Sequence, residues 1–123
     1  MAQDVIYLRL ETLLEIARDL GVPHVRDLGL LESAVRRPQT VIYGLEVYDS
    51  LPTKAAALVE SLVRNHALVD GNKRLGWIGF MLFLHMNGRR LLVDHDEAYN
   101  FIVEIASGQR DFEGIVRWIE SQA

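Results

Sequence analysis

The sequence predicts an all-α, or at least mainly α, protein: a bundle of about six helices around a buried central one, with a short hairpin at most between residues 39 and 49. Three observations carry this. Apolar residues recur at helical spacing through most of the 123 positions, and each such stretch is bounded by a cap or by a glycine or proline stop. No glycine-rich strand-to-helix turn of the dinucleotide-binding kind interrupts them. Half of the residues are apolar, enough for one real core, and the length suits a single domain over 1–123 rather than two.

Leu10, Leu13, Leu14, Ile16, Ala17 and Leu20 share one face of a first helix, which Gly21 and Pro23 stop. A second helix, Gly29 to Arg36, gathers Leu30, Leu31, Ala34 and Val35 on one face and ends at Pro38. From Gln39 to Asp49 the pattern changes. Val41, Tyr43, Val47 and Tyr48 surround Gly44, as expected of a hairpin or an extended flap. Ser50 as N-cap, with Pro52 in the first turn, opens a third helix through Val63 that brings Arg64 and His66 to its C-terminal end. The fourth helix starts at Gly71 or Asn72 and stops at Asn87-Gly88. Its apolar residues lie on every side, as expected of the central helix, and Gly76 and Gly79 let neighbours approach closely. After a link from Arg89 to Val93, Asp94 caps a fifth helix that Gly108 ends. Asp111 caps a sixth, which runs close to Gln122 with Ile115, Trp118 and Ile119 inward.

A formal net charge of −4 argues against a protein whose main task is coating nucleic acid, since that task needs an electropositive face. The absence of cysteine excludes disulfides, thiolate nucleophiles and cysteine-held metals. Met-Ala-Gln-Asp at the start lacks the basic and apolar regions of a secretory leader. The longest apolar run, Leu75 to Leu84, is about half the roughly twenty residues a membrane crossing needs. The expectation is a cytoplasmic protein with no membrane and no direct nucleic-acid partner. Trp77, Phe80, Met81, Phe83 and Met86 read as core, the Arg36-Arg37 and Arg89-Arg90 pairs as exposed charges, and His24, His85 and His95 as structural residues.

The nine residues from His66 to Arg74 (His-Ala-Leu-Val-Asp-Gly-Asn-Lys-Arg) stand apart. They join the third helix to the fourth, so the backbone N–H groups of Gly71, Asn72, Lys73 and Arg74 are the free donors of a helix N-terminus, a natural phosphate site. Arg64, Lys73 and Arg74 face one carboxylate, Asp70, which gives this corner of an acidic chain a positive balance. Asp70 can cap the fourth helix or hold Mg²⁺ beside phosphate oxygens, and the two roles are compatible. His66 can take a proton from an attacking hydroxyl near neutral pH. These parts suffice for group transfer from a nucleotide to a hydroxyl without a covalent enzyme intermediate. A P-loop does not fit, because Gly71-Asn72-Lys73-Arg74 lacks the upstream glycine and the hydroxyl residue after lysine. Nor does a zinc hydrolase, since no second ligand stands at helical spacing from His66.

The window resembles the signature of the Fic/Doc family: His, x, Phe, x, Asp or Glu, Gly, Asn, Gly, Arg, x, x, Arg. His66, Asp70, Gly71, Asn72 and Arg74 fall in register. Leu68 stands for the phenylalanine, Lys73 for the second glycine and Trp77 for the last arginine; Asn-Lys-Arg is the form of the Doc, or death-on-curing, branch. The likeness continues in Gly29-Leu30-Leu31-Glu32-Ser33-Ala34, in Arg37-Pro38-Gln39 and in the order of helices, so it spans nearly the whole chain as one Fic/Doc-like domain.

The resemblance implies a Fic-like fold, with His66 as base, Asp70 as Mg²⁺ ligand, Gly71, Asn72, Lys73 and Arg74 as holders of ATP phosphates, and the 39–49 flap aligning the target segment. Fic enzymes transfer AMP, whereas Doc proteins are kinases that phosphorylate a threonine of translation elongation factor Tu and arrest protein synthesis. Lys73 and the missing last arginine favour the kinase, with AMP transfer, or binding of an anion or peptide without chemistry, as the alternatives. The inhibitory helix of many Fic enzymes has no match here, because Ser107 and Glu113-Gly114 are wrongly spaced. Restraint is therefore expected from a separate Phd-type antitoxin whose disordered tail folds on binding.

Overall fold

Six α-helices, one 3₁₀ turn and a minimal hairpin make up residues 4–122, the ones the computed structural model describes. Met1 to Gln3, on which the expectation of no secretory leader largely rested, lie outside the described residues. The helices are α1 (Leu10–Asp19), α2 (Leu28–Arg36), α3 (Leu51–Arg64), α4 (Asn72–Met86), α5 (His95–Ala106) and α6 (Phe112–Ser121). The mainly α expectation holds. Among the described residues no helix is long and apolar enough to cross a membrane.

The caps explain most of the boundaries. Ser50 accepts from the Thr53 amide while Thr53 reaches back to the Ser50 amide, a full capping box ahead of α3. Asp94 accepts from Glu97 N and Asp111 from Gly114 N, each at 2.8 Å. The start of α2 differs from expectation by one residue because Asp27, not Leu28, caps it, accepting from Leu30 N at 3.2 Å. Pro38 does not end the chain's helical path outright. It is buried inside a 3₁₀ turn, Arg37–Gln39, that continues α2.

The hairpin is real and very short. β1 (Val41–Ile42) pairs antiparallel with β2 (Leu45–Glu46), Val41 opposite Glu46 and Ile42 opposite Leu45. Tyr43 and Gly44 turn with φ of 51° and 76°, both left-handed, as a two-residue turn matched to strand twist requires. Its base is held by a buried lysine: Lys54, 3% exposed, donates to Glu46 Oε1 at 2.9 Å and to the Pro38 carbonyl at 3.3 Å. Burial alone would lower the Lys54 pKa, but its bonds to Glu46 and Tyr7 outweigh that and hold it above its ordinary value.

The centre of the bundle is a pair of helices, with α4 sharing that place with α3. Ala55, Ala56, Ala57, Leu58, Val59, Leu62 and Val63 of α3 are buried, and α4 lays Leu75, Gly76, Gly79, Phe80, Phe83 and Leu84 against the core. The contact is close because Gly76 has no side chain: a Cβ there would lie 2.6 Å from Val63 Cγ2. An asparagine anchors each end of α4. Asn72 exchanges two hydrogen bonds with Leu68, and Asn87 does the same with Ile6. Around the pair, Phe101 of α5 stacks on Trp118 of α6 at 3.7 Å between ring centres and meets Phe80 at 5.8 Å.

Arg37 departs from the exposed role expected of it. It is half-buried, donating to Tyr48 Oη, Glu60 Oε1, Ser61 Oγ and the Ala57 carbonyl, and so ties the 3₁₀ turn and the end of the flap to α3. Burial on its own would depress its pKa; the bonds to Glu60 and Tyr48 raise it instead. Arg64 is also spoken for. It pairs with Glu60 at 2.8 Å and donates to the carbonyls of Ile105 and Arg110, riveting the end of α3 to the α5–α6 turn. It therefore adds nothing to the positive corner that the sequence placed it in.

Two outcomes check this account. Replacing glycine by alanine in an open helix gains about 1 kcal/mol, but Gly76→Ala should lose about 1–3 kcal/mol by overpacking against Val63, seen as a lower urea midpoint; a higher one would mean that α3 and α4 are not this close. For Lys54 the folded pKa lies above the unfolded one, so its contribution is present at neutral pH and fades as pH climbs through the folded value. The stability gap between wild type and Lys54→Met should be constant from about pH 7 to about pH 10 and shift only above the ordinary lysine pKa of about 10.4; a change centred near neutrality would contradict the buried pair.

Candidate active site

The residues singled out in the sequence form one short loop and the first turn of α4. α3 ends at Arg64, Asn65 closes it, and His66 follows in a left-handed conformation with φ 53°, uncommon for a residue with a side chain. Such strain persists only where surroundings enforce it, and it concentrates at functional sites. Ala67 and Leu68 are buried and anchor the loop, whereas His66, Val69 and Asp70 are exposed.

The chain then turns sharply at Gly71, φ 89°, which is the N-cap of α4. Only glycine fits there: besides the left-handed backbone, a Cβ would come within 2.9 Å of the Val22 side chain. The capping role open to Asp70 is not taken. Its Oδ1 accepts from Gly71 N at 2.8 Å, one residue on, and α4 has no side-chain cap. Asp70 Oδ2 points into solvent, 3.9 Å from Arg74 Nη2, with the Asp70 side chain 85% exposed.

The four residues expected to hold phosphate divide by what their side chains do. Gly71 contributes a turn. Asn72 spends its side-chain amide on the loop, accepting from Leu68 N at 2.9 Å and donating to Leu68 O at 3.0 Å. Lys73 and Arg74 are exposed and stand together in a first turn that contains no acidic residue. Cations at the positive end of a helix repel its dipole unless an anion sits between them and the free N–H groups. The positive corner is thus made of Lys73 and Arg74 alone, with Asp70 beside them.

Lys73 and Arg74 also form one wall of an apolar groove of about 320 Å³ between α4 and α5, closed by Leu20, Trp77, Ile78, Tyr99 and Ile102. A second depression continues it along α4 past Met81, Leu82 and His85 to Arg89 and Arg90. Trp77, at the place of the signature's last arginine, packs on Phe80 and Phe101 and offers the site a ring instead of a charge. His24, His85 and His95 are all exposed and stand outside the loop. Among the described residues no three acidic, histidine or cysteine side chains cluster to hold a metal. Nor does any hydrogen bond or ion pair among them join the flap to His66 or to Asp70–Arg74; the flap is tied to the first half of α3 instead.

What the sequence reading missed is the segment between α1 and α2. Val25 bridges Leu68, His24 O accepts from Val69 N at 3.0 Å, and Ala67 O accepts from Arg26 N and Asp27 N at 2.7 and 3.0 Å. These contacts cross some forty residues of sequence, and no local pattern announces them.

Residues 3–84 match the profile of the Fic/DOC family. The chain is 50% identical over 97 residues to the "Toxin Doc" of Mycolicibacterium smegmatis (strain ATCC 700084 / mc(2)155), covering 77% of this chain and 75% of that protein. It is 32% identical over 94 residues to the "Protein kinase doc" of Escherichia phage P1, covering 76% and 73% respectively. With most of its length inside the family profile and a loop and helix start that keep the Doc form of the signature, the chain belongs to the Fic/DOC family, in its Doc branch.

Proposed function

We propose that this protein is the toxin of a toxin–antitoxin pair and that it transfers the terminal phosphate of ATP to a protein hydroxyl, a threonine of translation elongation factor Tu, so arresting protein synthesis. One observation carries the reading: two exposed cations, partnered only by the long Arg74–Asp70 contact, crowd the uncapped positive end of α4 a few residues from an exposed histidine, an arrangement that a bound anion would stabilise. The names of the two relatives, a toxin and a protein kinase, agree with it.

In this reading the outer phosphates of ATP lie against the N–H groups of Asn72, Lys73 and Arg74, with the Lys73 and Arg74 side chains neutralising their charge. His66 accepts the proton of the target hydroxyl as its oxygen bonds to the γ-phosphorus, and the bond to the β-bridging oxygen breaks to release ADP. The donor set suits Mg²⁺ held mainly by substrate: one exposed carboxylate, Asp70, whose Oδ2 makes only a long 3.9 Å contact with Arg74, and no cluster of three acidic, histidine or cysteine side chains among the described residues. Bound there, Mg²⁺ supplies charge neutralisation on the phosphates. Trp77 in place of a second arginine leaves the site one phosphate contact short of what seating both outer phosphates for AMP transfer requires. A Phd-type antitoxin suits the groove along α4, whose apolar floor and basic ends, Lys73 and Arg74 at one and Arg89 and Arg90 at the other, complement an acidic amphipathic tail.

Incubation with elongation factor Tu and ATP labelled at either phosphate tests the reaction. The γ label should appear on the target and the α label should not; transfer of the α label would overturn the kinase assignment in favour of AMP transfer. His66→Ala should slow transfer by about 10²–10⁴-fold and abolish growth arrest. Undiminished arrest by that variant would point to a binding module instead. Arg74→Ala should weaken ATP binding by about tenfold or more, the scale of one charge-assisted hydrogen bond, and the loss should shrink in high salt.

A further inference from the structure

His66 carries its imidazole on a backbone that residues with side chains seldom adopt, and the contacts that hold it come from outside the signature. The six residues 21–26 between α1 and α2 lie across the loop like a strap. Val22 packs where a Cβ on Gly71 would sit, Val25 bridges Leu68, and the Arg26 amide bonds the Ala67 carbonyl. All of these are made by backbone or by apolar side chains except one. The Arg26 guanidinium reaches over and donates through Nη2 to the carbonyl oxygen of His66 itself, forty residues away in sequence.

That carbonyl belongs to the residue with φ 53°. The carbonyl of a residue turns with ψ, so a donor that captures the oxygen holds the peptide plane after His66 and, with the buried Ala67 beyond it, restricts the backbone from which the side chain projects. An exposed loop residue freed from that bond relaxes toward the right-handed or extended regions, which carries its side chain to another direction. Arg26 is exposed, fills no part of the core and pairs with no carboxylate among the described residues. Its contact with His66 is the only hydrogen bond its side chain makes among them.

We propose that Arg26 is a positioning residue: its guanidinium locks the His66 carbonyl, and with it the left-handed backbone that directs the imidazole over the phosphate-binding turn. The inference rests on the proposed role of His66 as base, but it makes a claim about conformation that stands or falls separately.

The experiment uses the full chain with Arg26→Ala and Arg26→Lys. Arg26→Ala should lower kcat for phosphoryl transfer by about 10–100-fold, the scale for a misplaced catalytic group, while the KM for ATP stays within about twofold because Asn72, Lys73 and Arg74 are untouched. Arg26→Lys, which can still donate to the carbonyl, should recover most of the loss. Thermal midpoints of both should match wild type. Amide and Cα chemical shifts of His66 should move away from left-handed values in Arg26→Ala and not in Arg26→Lys. A kcat within twofold of wild type in Arg26→Ala, or His66 shifts unchanged by it, would overturn the proposal, as would equal losses in the alanine and lysine variants. If wild type transfers no phosphate at all, the functional reading fails, and the His66 shifts alone decide whether Arg26 sets its backbone.

Discussion

The close packing of α3 on α4 is the constraint from which the rest of the molecule follows. Gly76 lets the two axes come so close that a methyl group between them would collide with Val63. The chain must then reverse between Arg64 and Asn72 in a narrow space, and it does so with left-handed residues at both ends of the turn, His66 and Gly71. Those two positions define the loop that carries the signature. The helix pair thus dictates where an exposed imidazole, a carboxylate and a helix N-terminus are brought together, and the remaining helices serve to hold the pair.

They do so with polar contacts as much as apolar ones. Glu60 of α3 is the hub, receiving Arg37 on one oxygen and Arg64 on the other. Through Arg37 it secures the flap and the 3₁₀ turn, and through Arg64 the α5–α6 turn. A partly buried carboxylate with two guanidinium partners is satisfied on both sides, whereas removal of any member would strand a charge. Lys54 plays a similar part at the base of the hairpin.

Much of this was legible in the sequence, for a physical reason: helices and their caps are local. Ser50, Asp94 and Asp111 announce α3, α5 and α6 because a capping side chain bonds an amide within three residues. The signature was legible on the same ground, its parts lying within nine consecutive positions. What could not be read is whatever depends on distant partners. Arg37 looked like an exposed charge and Arg64 like part of the positive corner because Tyr48, Glu60, Ile105 and Arg110 meet them only through the tertiary fold. The commitment of Asn72 to Leu68, the refusal of Asp70 to cap α4 and the strap over His66 were hidden for the same reason.

The distance in sequence between the strap and the loop bears on how the protein comes into being. A ribosome releases residues 21–26 long before His66 emerges, and the nine-residue signature exists as covalent structure before anything has folded over it. Contacts that span forty residues form late, because closing so large a loop is entropically uphill until the helices between have packed. A nascent or locally opened chain therefore displays every chemical group of the loop before the strap contacts that hold its backbone exist, and the arrangement seen here arrives only with the finished tertiary structure.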